Sequence, residues 1–282
     1  LSHELRLPLT DWQEQVRFGC GLRSFKRFTA AMHDKLPPLH GTVLMGSGDF
    51  HHLSWPLIER CIAQQGFTPK NPLRVLVLDN HPDNMRFPWG VHCGSWVRRV
   101  AMHPAVSQVH VAGITSQDIG SGHAWENYLR PLRAGKLTYW SCGVDTSWAK
   151  KIGSSKAFRS FASLTELVQA LSLQMSEWPQ DTYLSIDKDV FAPEVVRTNW
   201  DQGQMLEKQA MGLIDALRGQ IIGSDITGDV SAWKYSTWWK RLMSAGDGQD
   251  TQIDAETLAA WQAGQHGLNQ RLVQRIAASI TS

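Results

Sequence analysis

Groups able to bind a metal or move a proton are concentrated in three short stretches of this chain. Asp79, His81 and Asp83 stand at i, i+2 and i+4 directly after the apolar run Leu73–Leu78. Asp187 and Asp189 follow the β-rich run 182–186, and Asp49, His51 and His52 follow the short apolar run 42–45. Side chains alternate along extended chain, so an i, i+2, i+4 set projects to one side. Pro82 keeps His81 away from helical angles and favours that extension. Carboxylates packed closely are costly unless positive charge sits among them. For any one stretch alone a solvated acidic turn competes with a metal site. Three stretches together favour divalent metal. If His51, Asp79, His81, Asp83, Asp187 and Asp189 meet, their four carboxylates carry about −4, which two divalent ions neutralise. An oxygen-rich set with a minority of imidazole suits Mn²⁺ or a similar borderline ion. Spacing alone leaves open whether His51 or His52 is the ligand.

Two further residues have the right chemistry close by. His92 lies in a polar, glycine-bounded loop and suits a general acid or base with a pKa near neutrality; a loop histidine facing water is the plainer reading. Asp225 ends the last apolar run, where it is a candidate partner to a ligand or a contact for substrate.

These residues need rigid elements to aim them. Buried strands are expected at 42–45, 73–78, 108–114, 137–142, 182–186 and 220–224, with helical patterns between most of them, notably 55–65, 96–102, 164–175 and 204–217. Ser54 is a plausible N-cap for the helix at 55–65. Such alternation predicts an α/β protein in three layers, a mostly parallel sheet covered by helices on both faces. Ligands on such sheets sit beyond the carboxyl ends of the strands, where the acidic stretches fall. Before the sheet, residues 13–32 read as one helix or two short ones. After it, 232–242 reads as an amphipathic helix, 244–252 as a mobile loop, and 255–280 as a closing helix with a break around 264–267.

Composition narrows the function classes. With 28 Lys and Arg against 26 Asp and Glu, scattered along 282 residues, the chain lacks the basic footprint of a nucleic-acid binder. Four cysteines at 20, 61, 93 and 142 make no C-x-x-C pair and fit free thiols in a reducing compartment. No apolar run approaches the ~18 residues that span a bilayer. The expected address is the cytoplasm and the expected partner a small-molecule substrate.

Taken in order, GSGDFHH at 46–52, DNHPD at 79–83, HCG at 92–94 and SIDKD at 185–189 resemble the metal signatures of the arginase and agmatinase family of ureohydrolases. The resemblance covers roughly residues 40–230. It implies one arginase-like α/β/α domain, with 1–40 and 231–282 packed on it as extensions, and a binuclear manganese centre. By that resemblance Asp79 and Asp187 would bridge the ions, with His51 and Asp83 on one and His81 and Asp189 on the other; His51 is preferred to His52 because His-x-Leu then precedes the helix. A metal-bridging hydroxide would attack a planar carbon, and His92 would shuttle the proton. The chain departs from the pattern where substrate is chosen: the guanidine hydrolases end the last strand in Asp-x-x-Glu, whereas here Asp225 is followed by Gly228, with Asp229 one residue late. The implied activity is hydrolysis of non-peptide C–N bonds, of a guanidino compound first and an amide or acylated amine second. The six-ligand set speaks against the single zinc of the related deacetylases. The alternative is a non-catalytic metal- or ligand-binding protein on the same fold.

Overall fold

The structure, a computed structural model, describes residues 4–246, 248–249 and 252–280. Its strands are β1 (Gly19–Cys20), β2 (Val43–Leu44), β3 (Leu73–Leu78), β4 (Val91–His92), β5 (Val106–Ile114), β6 (Leu137–Cys142), β7 (Phe158–Phe161), β8 (Thr182–Asp187) and β9 (Ile221–Thr227). Seven of them form one sheet in the order β2-β9-β8-β3-β5-β6-β7, and every neighbouring pair runs parallel. The other two, β1 and β4, make a short antiparallel ribbon with Gly19 opposite His92.

Alternation along the strands explains the three layers. Leu73, Val75 and Val77 of β3 enter one apolar core with the helix Ser54–Gln65 and with Leu22–Lys35. Leu76 and Leu78 enter a second core with helices Leu164–Glu177, Glu207–Ala216 and Ala255–Ile280. A sheet buried on both faces must be covered by helices on both, as parallel crossovers provide.

Strand order also fixes where a site can form. From β3 the chain runs outward through β5, β6 and β7, then returns to place β8 and β9 on the other side of β3. The order reverses between β3 and β8, and the crevice beyond the carboxyl ends at such a reversal is where open α/β sheets take ligands. Asp79 to Asp83 and Asp187 to Asp189 flank this gap.

Several local expectations are corrected. The strand β7 had no clear signal, because Arg159 and Ser160 are exposed on a sheet edge. Residues 13–32 divide into the helix Gln13–Val16, the ribbon strand β1 and the helix Leu22–Lys35. Of the expected 232–242 element only 238–242 is helical, the start of the helix Trp238–Gly246, whereas Trp233 lies over the Arg17 guanidinium at 5.1 Å. That helix also occupies the start of the expected loop at 244–252, in which residues 247, 250 and 251 lie outside the described set. The helix Ala255–Ile280 runs unbroken through Gly264 and Gly267. Each glycine costs roughly 1 kcal/mol there, and burial of Leu268, Leu272 and Ile276 on one face outweighs it. Ser54 is the first residue of its helix rather than its cap; its hydroxyl donates to Asp225 at 3.0 Å.

Among the described residues no helix is long and apolar enough to cross a membrane.

Candidate metal centre

Three of the four aspartates at the rim use one oxygen for the backbone and turn the other inward. Asp79 Oδ1 accepts from the His81 amide at 2.7 Å, Asp187 Oδ1 from the Asp189 amide at 3.2 Å, and Asp189 Oδ1 from the Asn80 amide at 3.2 Å. The fourth, Asp83, accepts from the Trp96 indole at 2.6 Å. Its backbone has φ 46°, so the triplet is not simply extended chain. A left-handed turn sends Asp83 to one flank of Asp79 and leaves His81 on the other.

Two groups of ligand atoms result, each within 4.8 Å: His51, Asp79 and Asp83 in one, Asp79, His81 and Asp189 in the other. His51 Nδ1 lies 2.8 Å from Asp83 Oδ2, 3.2 Å from Asp79 Oδ2 and 3.4 Å from Asp187 Oδ2. His81 Nδ1 lies 2.9 Å from Asp189 Oδ2 and 3.6 Å from Asp79 Oδ1. Asp79 therefore presents one oxygen to each group. Asp187 falls outside both close groups and adjoins the first across its contact with His51.

The tautomer of His51 follows from its neighbours. Ser185 Oγ donates to Asp225 Oδ1 at 2.7 Å, so at 3.0 Å from His51 Nε2 it receives that nitrogen's proton. Nδ1 is then a lone pair facing three carboxylate oxygens. Acceptors so placed repel unless a proton or a metal cation lies among them. Without metal the proton takes the place: burial works against a charged imidazole, but Asp83 and Asp79 raise His51 well above its ordinary pKa, and Asp189 and Asp79 do the same for His81. Burial followed by the neighbouring carboxylate Asp79 pushes Asp83 up to about 7 and Asp189 up to about 6. Asp187 is raised well, by burial and then Asp189. Asp79 alone is lowered, since the two histidines outweigh its burial. Asp79 Oδ2 has no hydrogen-bond partner among the described residues although it is buried. An orphaned carboxylate oxygen at the point shared by two His–Asp groups fits a pair of divalent cations.

The remaining candidates fall differently. His52 is fully buried against Phe25, 5.7 Å between ring centroids, and burial lowers its pKa to about 3. It is a packed neutral ring, and of the two adjacent histidines only His51 reaches the carboxylates. Asp225 does not face the rim. Its oxygens accept from Ser54, Ser185 and Tyr183 at 3.0, 2.7 and 2.9 Å, so the structure corrects the expectation of a substrate contact and makes it an anchor that orients His51 through Ser185. His92 is 5% exposed rather than open to water, and burial pushes its pKa down to about 4, away from the expected neutrality. The Gly94 amide donates to its Nδ1 at 3.0 Å, which places the proton of the neutral ring on Nε2. At neutral pH His92 is a hydrogen-bond donor.

Gly228 has a steric reason. At φ +90° an added Cβ would stand 2.5 Å from Asp187 Oδ1 and 2.6 Å from the Lys188 amide, so no side chain of any kind fits. Asp229 next to it pairs with the fully buried Lys188 and accepts from Asn269 at 3.2 Å.

Sequence reasoning missed Phe18 and Trp200. Phe18 is fully buried with φ 65°, an outlier for a bulky residue, held by Phe18 N to Asp49 O and Cys93 N to Phe18 O, both 2.9 Å. Its ring lies near-parallel to those of His92 (5.9 Å) and Trp200 (6.1 Å). Neither position carries a motif in the sequence.

No family model matches the chain. Its fold is that of arginase and the ureohydrolases. Proclavaminate amidino hydrolase from Streptomyces clavuligerus superposes with a TM-score of 0.52 and 16% identity, over 91% of this chain and 70% of that one. Arginase from Medicago truncatula gives 0.51 and 17%, over 92% of this chain and 65% of that one. An uncharacterized protein of Thermotoga maritima is 25% identical over 206 residues, 73% of this chain and 63% of that protein. The match thus spans less than two thirds of both the plant arginase and the Thermotoga protein. At these identities the chain is a divergent member of the fold.

Proposed function

We propose that this protein is a binuclear-metal-dependent hydrolase of non-peptide C–N bonds, acting on a small guanidino or amide substrate. The observation that carries this reading is Asp79, whose two oxygens face two separate His–Asp groups while one of them is buried without a partner. His51 and Asp83 would hold one ion and His81 and Asp189 the other, with Asp79 shared and Asp187 beside the first. Mn²⁺ is the ion best matched to such donors. Two divalent ions would supply Lewis acidity and lower the pKa of water toward neutrality.

The chain's own residues do the rest. Asp225 and Ser185 hold His51 in the tautomer that offers Nδ1. Trp96 fixes the Asp83 carboxylate. The proton on His92 Nε2 is available to a substrate atom as a hydrogen bond. Lys188 is spent on Asp229 and takes no part. Both solved relatives are named for hydrolysis, an amidino hydrolase and an arginase, which supports the reaction class.

The test separates metal from turnover. Protein purified without chelator should contain close to two Mn²⁺ or equivalent ions per chain by elemental analysis, and should release urea or ammonia from at least one member of a guanidine and amide panel. Two ions with no turnover on any member would leave a binding protein and overturn the hydrolase reading. His92→Ala should keep both ions and lose rate.

A further inference from the structure

Beside the metal ligands stands a donor that the proposed chemistry has not used. A Cβ built on Gly48 would lie 3.2 Å from Trp200 Nε1 and 3.4 Å from Asp187 Oδ2, so the indole N–H and the inner oxygen of that carboxylate border the same spot. Trp200 Nε1 is buried and has no acceptor among the described residues. A buried N–H left unpaired is costly, and unpaired groups concentrate where a ligand completes them. Nearby, Phe18 lies near-parallel to both Trp200 and His92, and Phe87 meets His92 edge-on at 4.6 Å. This wall is apolar apart from its ring nitrogens, and Trp200 Nε1 and the Nε2 of neutral His92 both bear protons.

Complementarity then decides the substrate. A guanidinium has five N–H donors and no acceptor, so it would meet these donors with donors. The rim aspartates are occupied as ligands, Asp225 by three hydroxyls, Asp229 by Lys188 and Asn269, and Gly228 admits no side chain. A neutral carboxamide has a carbonyl acceptor for an N–H and an apolar substituent for the rings.

We propose that Trp200 selects the substrate by donating its indole N–H to a carbonyl oxygen, so that the scissile group is a carboxamide and not a guanidinium. This rests on the hydrolase reading of the same site. In the step, a water oxygen bonds to the carbonyl carbon, the C–N bond breaks with its electron pair on nitrogen, and that nitrogen takes the proton the water gives up. The products are a carboxylic acid and an amine or ammonia.

The test follows the Trp200 indole N–H resonance of ¹⁵N-labelled protein loaded with the diamagnetic ion Zn²⁺, identified as the indole line absent from Trp200→Phe. Trp200→Tyr removes the same line, so the assignment does not depend on one variant folding. Titration with butyramide should shift this line, butylguanidinium should leave it in place, and Trp200→Phe should weaken butyramide binding ~5- to 10-fold, the worth of one neutral hydrogen bond. A line moved by butylguanidinium, a line moved by neither probe, or unchanged butyramide affinity in Trp200→Phe would overturn the proposal. Metal content of the same sample keeps the two readings apart. Two ions with an unresponsive Trp200 line sink this inference alone, whereas no bound metal with a butyramide-specific shift sinks the hydrolase and leaves the donor assigned.

Discussion

The two ends of the central sheet bury charge in opposite ways. At the amino end Arg74 of β3 is 4% exposed, and no carboxylate pairs with it among the described residues. Each nitrogen of its fork nevertheless finds an acceptor: Nε donates to Thr182 Oγ1 at 3.0 Å, Nη1 to Trp178 O at 2.8 Å, and Nη2 to Gln220 Oε1 at 2.7 Å and Gln180 O at 3.3 Å. Burial lowers its pKa to about 10, which leaves it charged at neutral pH. At the carboxyl end four aspartates and two histidines crowd one another, with Asp79 Oδ2 orphaned and two imidazole nitrogens aimed at carboxylates. Both ends sit in the same sheet, under the same helices. A buried charge whose hydrogen bonds the chain completes is structural; a cluster the chain leaves incomplete is built for something that arrives later.

The comparison breaks most sharply at Asp79. Asp79→Asn removes the charge shared by both groups, so metal content should fall from two ions per chain and hydrolysis should drop on the order of 10³-fold, the several kcal/mol that a metal supplies to a transition state. Full occupancy with normal rate would show that the two groups do not share this residue.

Metal removal ranks next. Saturating Mn²⁺ at ~100 times its dissociation constant stabilises the protein by about 2.7 kcal/mol, so chelation should lower Tm by roughly 5–10 °C. The sign of the pH response differs between the two forms. Without metal, Asp83 and Asp189 have folded pKa values of about 7 and about 6, above their ordinary 3.8, and His51 and His81 are raised as well. The folded chain then binds more protons than the unfolded one, and the chelated protein should lose stability as pH rises from about 4 to 7 and beyond. With metal the ligands must be deprotonated, so Mn²⁺ affinity should rise over the same interval. Calorimetry at pH 5 and pH 8 with and without Mn²⁺ checks both signs; a metal-free form that gains stability over that interval would contradict the cluster's geometry.

How much of this was legible follows the range of the forces. The apolar runs before Asp79 and Asp187, and the i, i+2 carboxylates after them, gave the strands, the parallel sheet and the residues that meet at the rim, because strand burial and strand-end placement are local regularities. What depended on partners far along the chain was not legible. Asp225 has the same residue type at the same kind of strand end, yet Ser54, Ser185 and Tyr183 turn it inward. The expected neutral pKa of His92 assumed an open loop, and the ribbon pairing it with Gly19 buries it. Gly228 read as a missing carboxylate until Asp187 and Lys188 were seen filling the space. Phe18 and Trp200 carry no motif at all, since a left-handed backbone and a loop that folds over Gly48 have no local signature.

Two smaller effects sharpen the contrast. Asp225→Asn should keep the fold and weaken Mn²⁺ binding by ~10- to 100-fold, because it loosens His51 through Ser185 without removing a ligand; a metal titration reads this directly. At the other end Arg74→Lys keeps the charge but loses the planar fork, so at least one of Thr182, Trp178, Gln180 and Gln220 is left without its donor. The cost should be about 1 kcal/mol of stability, with metal stoichiometry and rate unchanged. If Arg74→Lys instead alters metal binding, the two ends of β3 are coupled through the strand, and a completed charge at one end is part of what holds the incomplete cluster at the other.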